Sequence, residues 1–220
     1  MVTALTLSVA LGGLQVLLAA TYGVNMPLFR PGNATGSQRG DCIGSRCFVC
    51  WRIPALAGPS NTGRLFAFAE ARDVPGCDDH GVRGAVVLAV KTSDDRGRSW
   101  SPAREVARVD TIYPGPYGRA TGNPSPLVFT TSFKNGSRPH IELIFSVNNI
   151  EAWSTGSTDD GLTFSPPLNR TLMMKPALPH HNWWASGPPG GVILPNGRAI
   201  FCANIEEPVG HPWSFAVWSD

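Results

Sequence analysis

Apolar residues along this chain come in short runs and alternations, the spacing of strands. No stretch recurs at the three-and-four interval of an amphipathic helix. Leu65-Phe66-Ala67-Phe68-Ala69 is a compact apolar run and Ala85-Val86-Val87-Leu88-Ala89-Val90 a β-branched one, so both are predicted strands. His140-Ile141-Glu142-Leu143-Ile144-Phe145-Ser146 opens by alternating polar with apolar, as a half-buried strand does. Val192-Ile193-Leu194 and Ala199-Ile200-Phe201-Cys202 flank Pro195-Asn196-Gly197. Asn-Gly accepts the positive φ angles of a tight turn, so this pair is a predicted hairpin.

A motif follows the β-branched run and then recurs. Ser93-Asp94-Asp95-Arg96-Gly97-Arg98-Ser99-Trp100 and Ser157-Thr158-Asp159-Asp160-Gly161-Leu162-Thr163-Phe164 both read Ser-x-Asp-x-Gly-x-(Ser/Thr)-aromatic, 64 residues apart. A similar step onward reaches Ser219-Asp220, where a third copy is expected to begin. In each copy the Asp (Asp95, Asp159) can accept turn amides, and Gly97 and Gly161 can take φ > 0. The aromatic Trp100 or Phe164 can pack between sheets. Such a period holds four short strands with their loops, the content of one propeller blade. These are scaffold roles and name no chemistry.

Composition narrows the class. The 24 Gly and 20 Pro weaken helices and favour turns, so an all-β fold is expected. With 18 Lys+Arg against 16 Asp+Glu and no basic run, nucleic acid is excluded as a partner. Residues 1–24 read as a signal peptide or signal anchor, because Met1 to Ala20 is apolar and uncharged. No basic residue precedes the apolar core and no clear Ala-x-Ala site follows it, so a hydrophobic strand pair is the alternative. Residues 25–46 form a Gly/Pro-rich lead-in. The sequons at Asn33, Asn135 and Asn169 are candidate glycosylation sites and agree with a secretory route, lysosomal or extracellular, with membrane association a further expectation. On that route Cys42, Cys47, Cys50, Cys77 and Cys202 become disulfide candidates whose connectivity the sequence leaves open. Cys47-x-x-Cys50 with His180-His181 has the makings of a zinc set, but oxidised thiols do not bind zinc, and no metal or cofactor is expected.

From about Cys47 onward the chain resembles the exo-α-sialidases, most closely those of the lysosomal type. The residues that carry the resemblance are Arg52-Ile53-Pro54-Ala55-Leu56, Leu65 through Arg72, Asp78-Asp79-His80, the two motifs (Asp boxes in that family), Asn123-Pro124-Ser125-Pro126 and Gly187-Pro188-Pro189-Gly190-Gly191, in the family's order. The resemblance implies that residues 47–220 are the N-terminal portion of a six-bladed β-propeller, its C-terminal blades missing. It implies release of terminal sialic acids from glycoproteins, gangliosides and oligosaccharides, with sialylated glycans as partners.

The chemistry suits an anionic sugar. A guanidinium stays charged and can bond both oxygens of a carboxylate, and the resemblance gives Arg52 that role, the first of three clamp arginines. Sialidases use a Tyr nucleophile with a Glu base, and a separate Asp as acid and base. Chemistry alone does not separate Asp78 from Asp79; the resemblance favours Asp78 as the acid/base. It places Arg72 in the pocket near the sugar's 4-hydroxyl, and Asn123, where many relatives have Asp, against a hydroxyl or the acetamido group. Glu70 is expected to orient Arg72 or Arg52. The family's remaining arginines, Glu and Tyr have no counterpart, since Tyr22, Tyr113 and Tyr117 lie elsewhere and Glu206-Glu207 precedes the third motif. The expectation is therefore a fragment of low activity, completed by its own missing blades; the alternative is a non-catalytic glycan-binding or interaction propeller.

Overall fold

The computed structural model describes residues 5–11, 14–20, 26–32, 40–73, 77, 86–109, 120–130, 140–175, 183–188, 190–206 and 212–219. Asp78, Asn33, Asn135, the three tyrosines and His180-His181 lie outside the described residues. The apolar leader forms two strands, β1 (Leu5–Leu11) and β2 (Leu14–Ala20), paired antiparallel as a hairpin. This is the strand-pair arrangement that stood beside the signal reading. No helix among the described residues is long and apolar enough to cross a membrane. A second small hairpin, β3 (Cys42–Ile43) and β4 (Arg46–Cys47), is closed by a Cys42–Cys47 disulfide.

Three larger antiparallel sheets follow. The first runs in chain order through β5 (Cys50–Ala57), β6 (Leu65–Arg72), β7 (Val86–Ser93) and β8 (Arg104–Ala107). The second repeats that order with β9 (Thr121–Val128), β10 (Ile141–Val147), β11 (Glu151–Ser157) and β12 (Leu168–Asn169). A four-residue helix, α1 (Thr171–Met174), interrupts the otherwise all-β chain after β12. It is a single turn, too short to leave a helical period in the sequence. In the third sheet β13 (Trp183–Ser186) and β14 (Val192–Ile193) pair with opposite halves of one edge of β15 (Ala199–Glu206), and β16 (Pro212–Ser219) takes the other edge. The β14–β15 hairpin turns where Asn196-Gly197 predicted it, with Gly197 at φ 88°.

The register makes the repeat structural. Ser93 opposes Leu65 and Ser157 opposes Ile141, so both motif serines end the third strand of their sheet at one level, and Ser219 opposes Ala199 at the end of β16. Side chains alternate across a strand. On β6, Phe66 and Phe68 share a face with Glu70 and Arg72; on β10, Ile141, Leu143, Phe145 and Val147 share another. These two faces meet in one core cluster, with Leu88, Val90 and Val106. The opposite side of the second sheet packs Leu127, Ile144 and Ala152 against Phe201, Ala203 and Ile205. The sheets therefore stack one on the next through their inner strands, as successive blades of a propeller do. Each fully buried Phe contributes about 1.5–3 kcal/mol through removal of apolar surface from water.

The lead-in covers the outer face of the first sheet. Phe48 packs on Ala71 and Val87, and Phe29 stacks on Trp51 with ring centroids 4.8 Å apart. Lys91 bonds Asp41 at 2.6 Å, and Arg46 bonds Asp73 at 2.8 Å. Cys202 is an exposed free thiol.

Candidate functional site

The two motif turns have one geometry. Ser93 Oγ donates to Asp95 Oδ1 (2.8 Å) and accepts the Gly97 N–H (2.8 Å), while Asp95 accepts the Ser99 N–H (2.8 Å) and hydroxyl (2.6 Å). Ser157, Asp159, Gly161 and Thr163 repeat the pattern at 2.8, 2.8, 2.8 and 2.5 Å. Hydrogen bonds to the charged form favour it, led by Ser99 for Asp95 and by Thr163 for Asp159. Both carboxyls are lowered to about 2. Phe164 packs edge-on to Phe68 in the core between the first two sheets, and the Trp100 indole donates to the Gly97 carbonyl at 3.3 Å. The turns sit at the Leu65 end of β6, so their acids serve the scaffold.

Arg52, Glu70 and Arg72 gather at the far end of the same sheet. Arg52 directly opposes Glu70, and Cys50 opposes Arg72. Seven residues separate Leu65 from Arg72, roughly 23 Å at strand rise. Arg72 is 1% exposed and Glu70 2%, an ion pair enclosed by protein. Arg72 Nε donates to Glu70 Oε2 at 2.8 Å, its Nη2 to the same oxygen, and its Nη1 to the Cys77 carbonyl at 2.6 Å. Cys77 is also bound to Cys50 by a disulfide. The residue preceding Asp78 is thus anchored twice to the first sheet.

Glu70 also joins two sheets. Its Oε1 accepts the Asn123 backbone N–H from β9 at 2.7 Å. A Cβ on the neighbouring Gly122 would lie 2.5 Å from Glu70 Oε1, so glycine is what admits the carboxylate. Asn123 is itself fixed: Nδ2 donates to Ser146 Oγ (2.8 Å) and Asn149 Oδ1 (2.6 Å), and its carbonyl accepts from Ser186 Oγ (2.6 Å). A buried, paired carboxylate with satisfied hydrogen bonds is a rigid joint.

Matched bulges set the backbone here. Between Arg52 and Ala55 the first strand gains one residue on its partner, and between Gly122 and Ser125 the second sheet does the same. In each bulge the residue before a proline has left-handed φ, 52° at Ile53 and 55° at Asn123. Proline offers no N–H to the ladder, and Pro54 and Pro124 sit where it is tolerated, within bulges of the edge strands β5 and β9. For Ile53, β-branched, that conformation is strained by about 1–3 kcal/mol. The bulge leaves the neighbouring Arg52 exposed, and no described residue bonds its guanidinium.

The predicted site residues therefore separate. Arg52 is open to solvent and able to take an anion. Arg72 is brought beside it, buried, and bonds Glu70 and the Cys77 carbonyl. Asn123 lies at the same end, in a bulge inside β9, with its amide nitrogen committed to Ser146 and Asn149, which leaves Oδ1 as its remaining acceptor. Of the two partners expected for Glu70, Arg72 is the one it holds. Asn169 is exposed on β12, and its Oδ1 accepts the Thr171 N–H at 2.9 Å. Cys47 and Cys50 go to separate disulfides, which consumes the C-x-x-C thiols. Sequence reading missed Gly122, Ser146, Asn149 and Ser186; the Gly-Asn-Pro run was the available signal for the first.

No family model matches the sequence. An exo-α-sialidase of Arthroderma benhamiae is 29% identical over 225 residues, an alignment that takes in 91% of this chain and 52% of that protein. The chain thus spans about half the length of the curated relative it matches. Among solved structures, the Hadza microbial sialidase Hz136 superposes with a TM-score of 0.64 at 21% identity, over 79% of this chain and 36% of that one. A mutant Trypanosoma rangeli sialidase displaying trans-sialidase activity gives 0.58 at 16%, over 87% and 32%. The intramolecular trans-sialidase of Ruminococcus gnavus gives 0.52 at 11%, over 79% and 61%. The all-β, propeller-like fold is shared with sialidases.

Proposed function

We propose that this chain carries the carboxylate-binding side of an exo-α-sialidase site, in a glycosidase that releases terminal α-linked sialic acids from glycoproteins, gangliosides and oligosaccharides. The observation that carries the reading is Arg52: an exposed guanidinium without a partner among the described residues, beside a buried ion pair that holds its surroundings still. A free guanidinium on a rigid frame is suited to a bidentate carboxylate. The similarity to an exo-α-sialidase over most of the chain supports the same substrate class.

In this mechanism Arg52 grips the sugar carboxylate and fixes the anomeric carbon. Asp78, next in sequence to the anchored Cys77, protonates the glycosidic oxygen and later activates water. Arg72 and Glu70 hold that loop to the first sheet, and Asn123 Oδ1 accepts from a sugar hydroxyl or the acetamido N–H. The nucleophilic Tyr, its Glu and two further arginines belong to other blades of a six-bladed propeller, so turnover by these 220 residues alone is low. A secretory or lysosomal setting accords with the two disulfides.

Two measurements on the full chain test this. Saturation-transfer NMR with N-acetylneuraminic acid is expected to show binding that Arg52→Ala abolishes and Asp78→Ala leaves in place. Release of a fluorescent aglycone from a sialoside is expected to be slow, and slower still in Asp78→Ala. Robust turnover indifferent to Asp78→Ala, or sugar binding indifferent to Arg52→Ala, would sink the reading.

A further inference from the structure

Asn123 takes part in hydrogen bonds with all three of the larger sheets. Its backbone N–H donates to Glu70 Oε1 of the first sheet at 2.7 Å, and its carbonyl accepts the Ser186 hydroxyl of the third at 2.6 Å. Glu70 and Ser186 are both buried, so the main chain of Asn123 is pinned from two sides. Its side-chain torsions are left to be set within the second sheet. Ser146 of β10 and Asn149 of the β10–β11 turn set them, with the amide nitrogen 2.8 Å from Ser146 Oγ and 2.6 Å from Asn149 Oδ1.

An amide can turn over and exchange oxygen for nitrogen with little change of shape, so its partners decide which atom faces out. Ser146 has one proton to give. Its hydroxyl lies 3.3 Å from the Gly122 carbonyl, which can only accept, so the proton goes there and the oxygen turns a lone pair to Asn123. The Asn123 atom facing it must then be the nitrogen. Ser146 is buried, which closes its hydroxyl to bulk water. The second amide N–H goes to Asn149 Oδ1. Asn149 is itself held: it shares a tight turn with Asn148 at φ 53° and 54°, and its carbonyl accepts the Trp184 N–H at 2.6 Å. Both amide protons are thus spent inward, and Asn123 Oδ1 bonds no described residue.

We propose that Ser146 and Asn149 are positioning residues that lock the Asn123 amide with its oxygen outward, so that the sugar site demands a hydrogen-bond donor at this point; this deepens the sialic-acid assignment above and rests on it. Two ring groups of a sialoside can meet the demand, the 4-hydroxyl and the acetamido N–H. A sugar with that donor blocked by a methyl group leaves Oδ1 unpaired or sets acceptor against acceptor, and a desolvated, unpaired polar group costs more than its hydrogen bond would gain. An amide free to turn could offer its nitrogen instead and admit the blocked sugar. The lock removes that escape.

The test is an NMR titration of the isotope-labelled full chain with three α-methyl glycosides: that of N-acetylneuraminic acid, its 4-O-methyl ether and its N-methylacetamido analogue. One of the two blocked sugars is expected to bind about tenfold more weakly than the unblocked one. Asn149→Asp keeps an acceptor in place and tolerates a left-handed φ, so it is expected to keep that ratio while its charge weakens all three sugars alike. Ser146→Ala with Asn149→Gly removes both tethers, and glycine is at home at φ 53°. There the ratio is expected to fall to about twofold or less. Equal binding of all three sugars by the unaltered chain, loss of the ratio in Asn149→Asp, or its survival in the double variant overturns the proposal. Binding of none of the three strikes the sialic-acid assignment instead. The lock is then judged by the Asn123 side-chain amide protons, expected to exchange slowly with water in the unaltered chain and fast in the double variant; fast exchange in the unaltered chain overturns it.

Discussion

At the scale of single residues the most consequential feature is Glu70. Two carboxylate oxygens serve three purposes: one holds Arg72, which in turn holds the Cys77 carbonyl, and the other receives a backbone N–H from the next sheet. Buried ion pairs contribute little net stability over an apolar pair, yet breaking one strands a charge in protein. Glu70→Gln is therefore expected to destabilise by about 3–5 kcal/mol in urea denaturation, and Glu70→Gln with Arg72→Met to regain much of that loss. If the single variant unfolds within about 1 kcal/mol of the parent, the joint is not structural. The pairing was half legible. Glu70-Ala71-Arg72 puts both side chains on one strand face by period two, but the sequence left Arg52 and Arg72 as equal candidates. Burial of Arg72 against Glu70 and the Cys77 carbonyl decided it, and Cys77 is joined to Cys50, 27 residues away, by a disulfide.

The strand-to-strand turns set the next scale. Asp95 and Asp159 are lowered to about 2 against an ordinary carboxylate value near 4. A group held lower in the folded state adds stability that is fully present above the unfolded value and lost as pH falls through the folded one. Acid sensitivity from these turns is thus expected between about pH 4 and pH 2. Over that window the denaturation midpoint should fall in the parent and fall less steeply in an Asp95→Asn/Asp159→Asn double variant. Identical slopes would remove the aspartates from the cause. The turns were read correctly from the repeat because their hydrogen bonds close within eight residues. The bulged strands β5 and β9 were not read as strands, since Pro54 and Pro124 argue against a ladder; both lie at the edge of their sheet, where a proline in a bulge is tolerated. The Gly187–Gly191 interruption between β13 and β14 is the third such break, at a comparable place.

For the whole molecule, the sheets stack through alternating faces, while one disulfide closes the β3–β4 hairpin of the lead-in and the other ties Cys77 to the first sheet. Opening the Cys50–Cys77 link frees a loop of 27 residues, and in the chain-entropy account such a crosslink contributes about 2–4 kcal/mol. Cys50→Ser/Cys77→Ser is expected to lower the melting temperature by several degrees, and to weaken sialic-acid binding further if the loop frames the site. An unchanged melting point by calorimetry would place the loop outside the cooperative unit. The sequence by itself determined the strand-rich class, the two motif turns, the β14–β15 hairpin and the repeat length, because each rests on local periodicity or on hydrogen bonds between near neighbours. Tertiary structure alone decided which arginine stays exposed and which cysteines pair. Those outcomes depend on side chains tens of residues apart, brought together by strand pairing and sheet stacking and sorted by the cost of leaving charge inside.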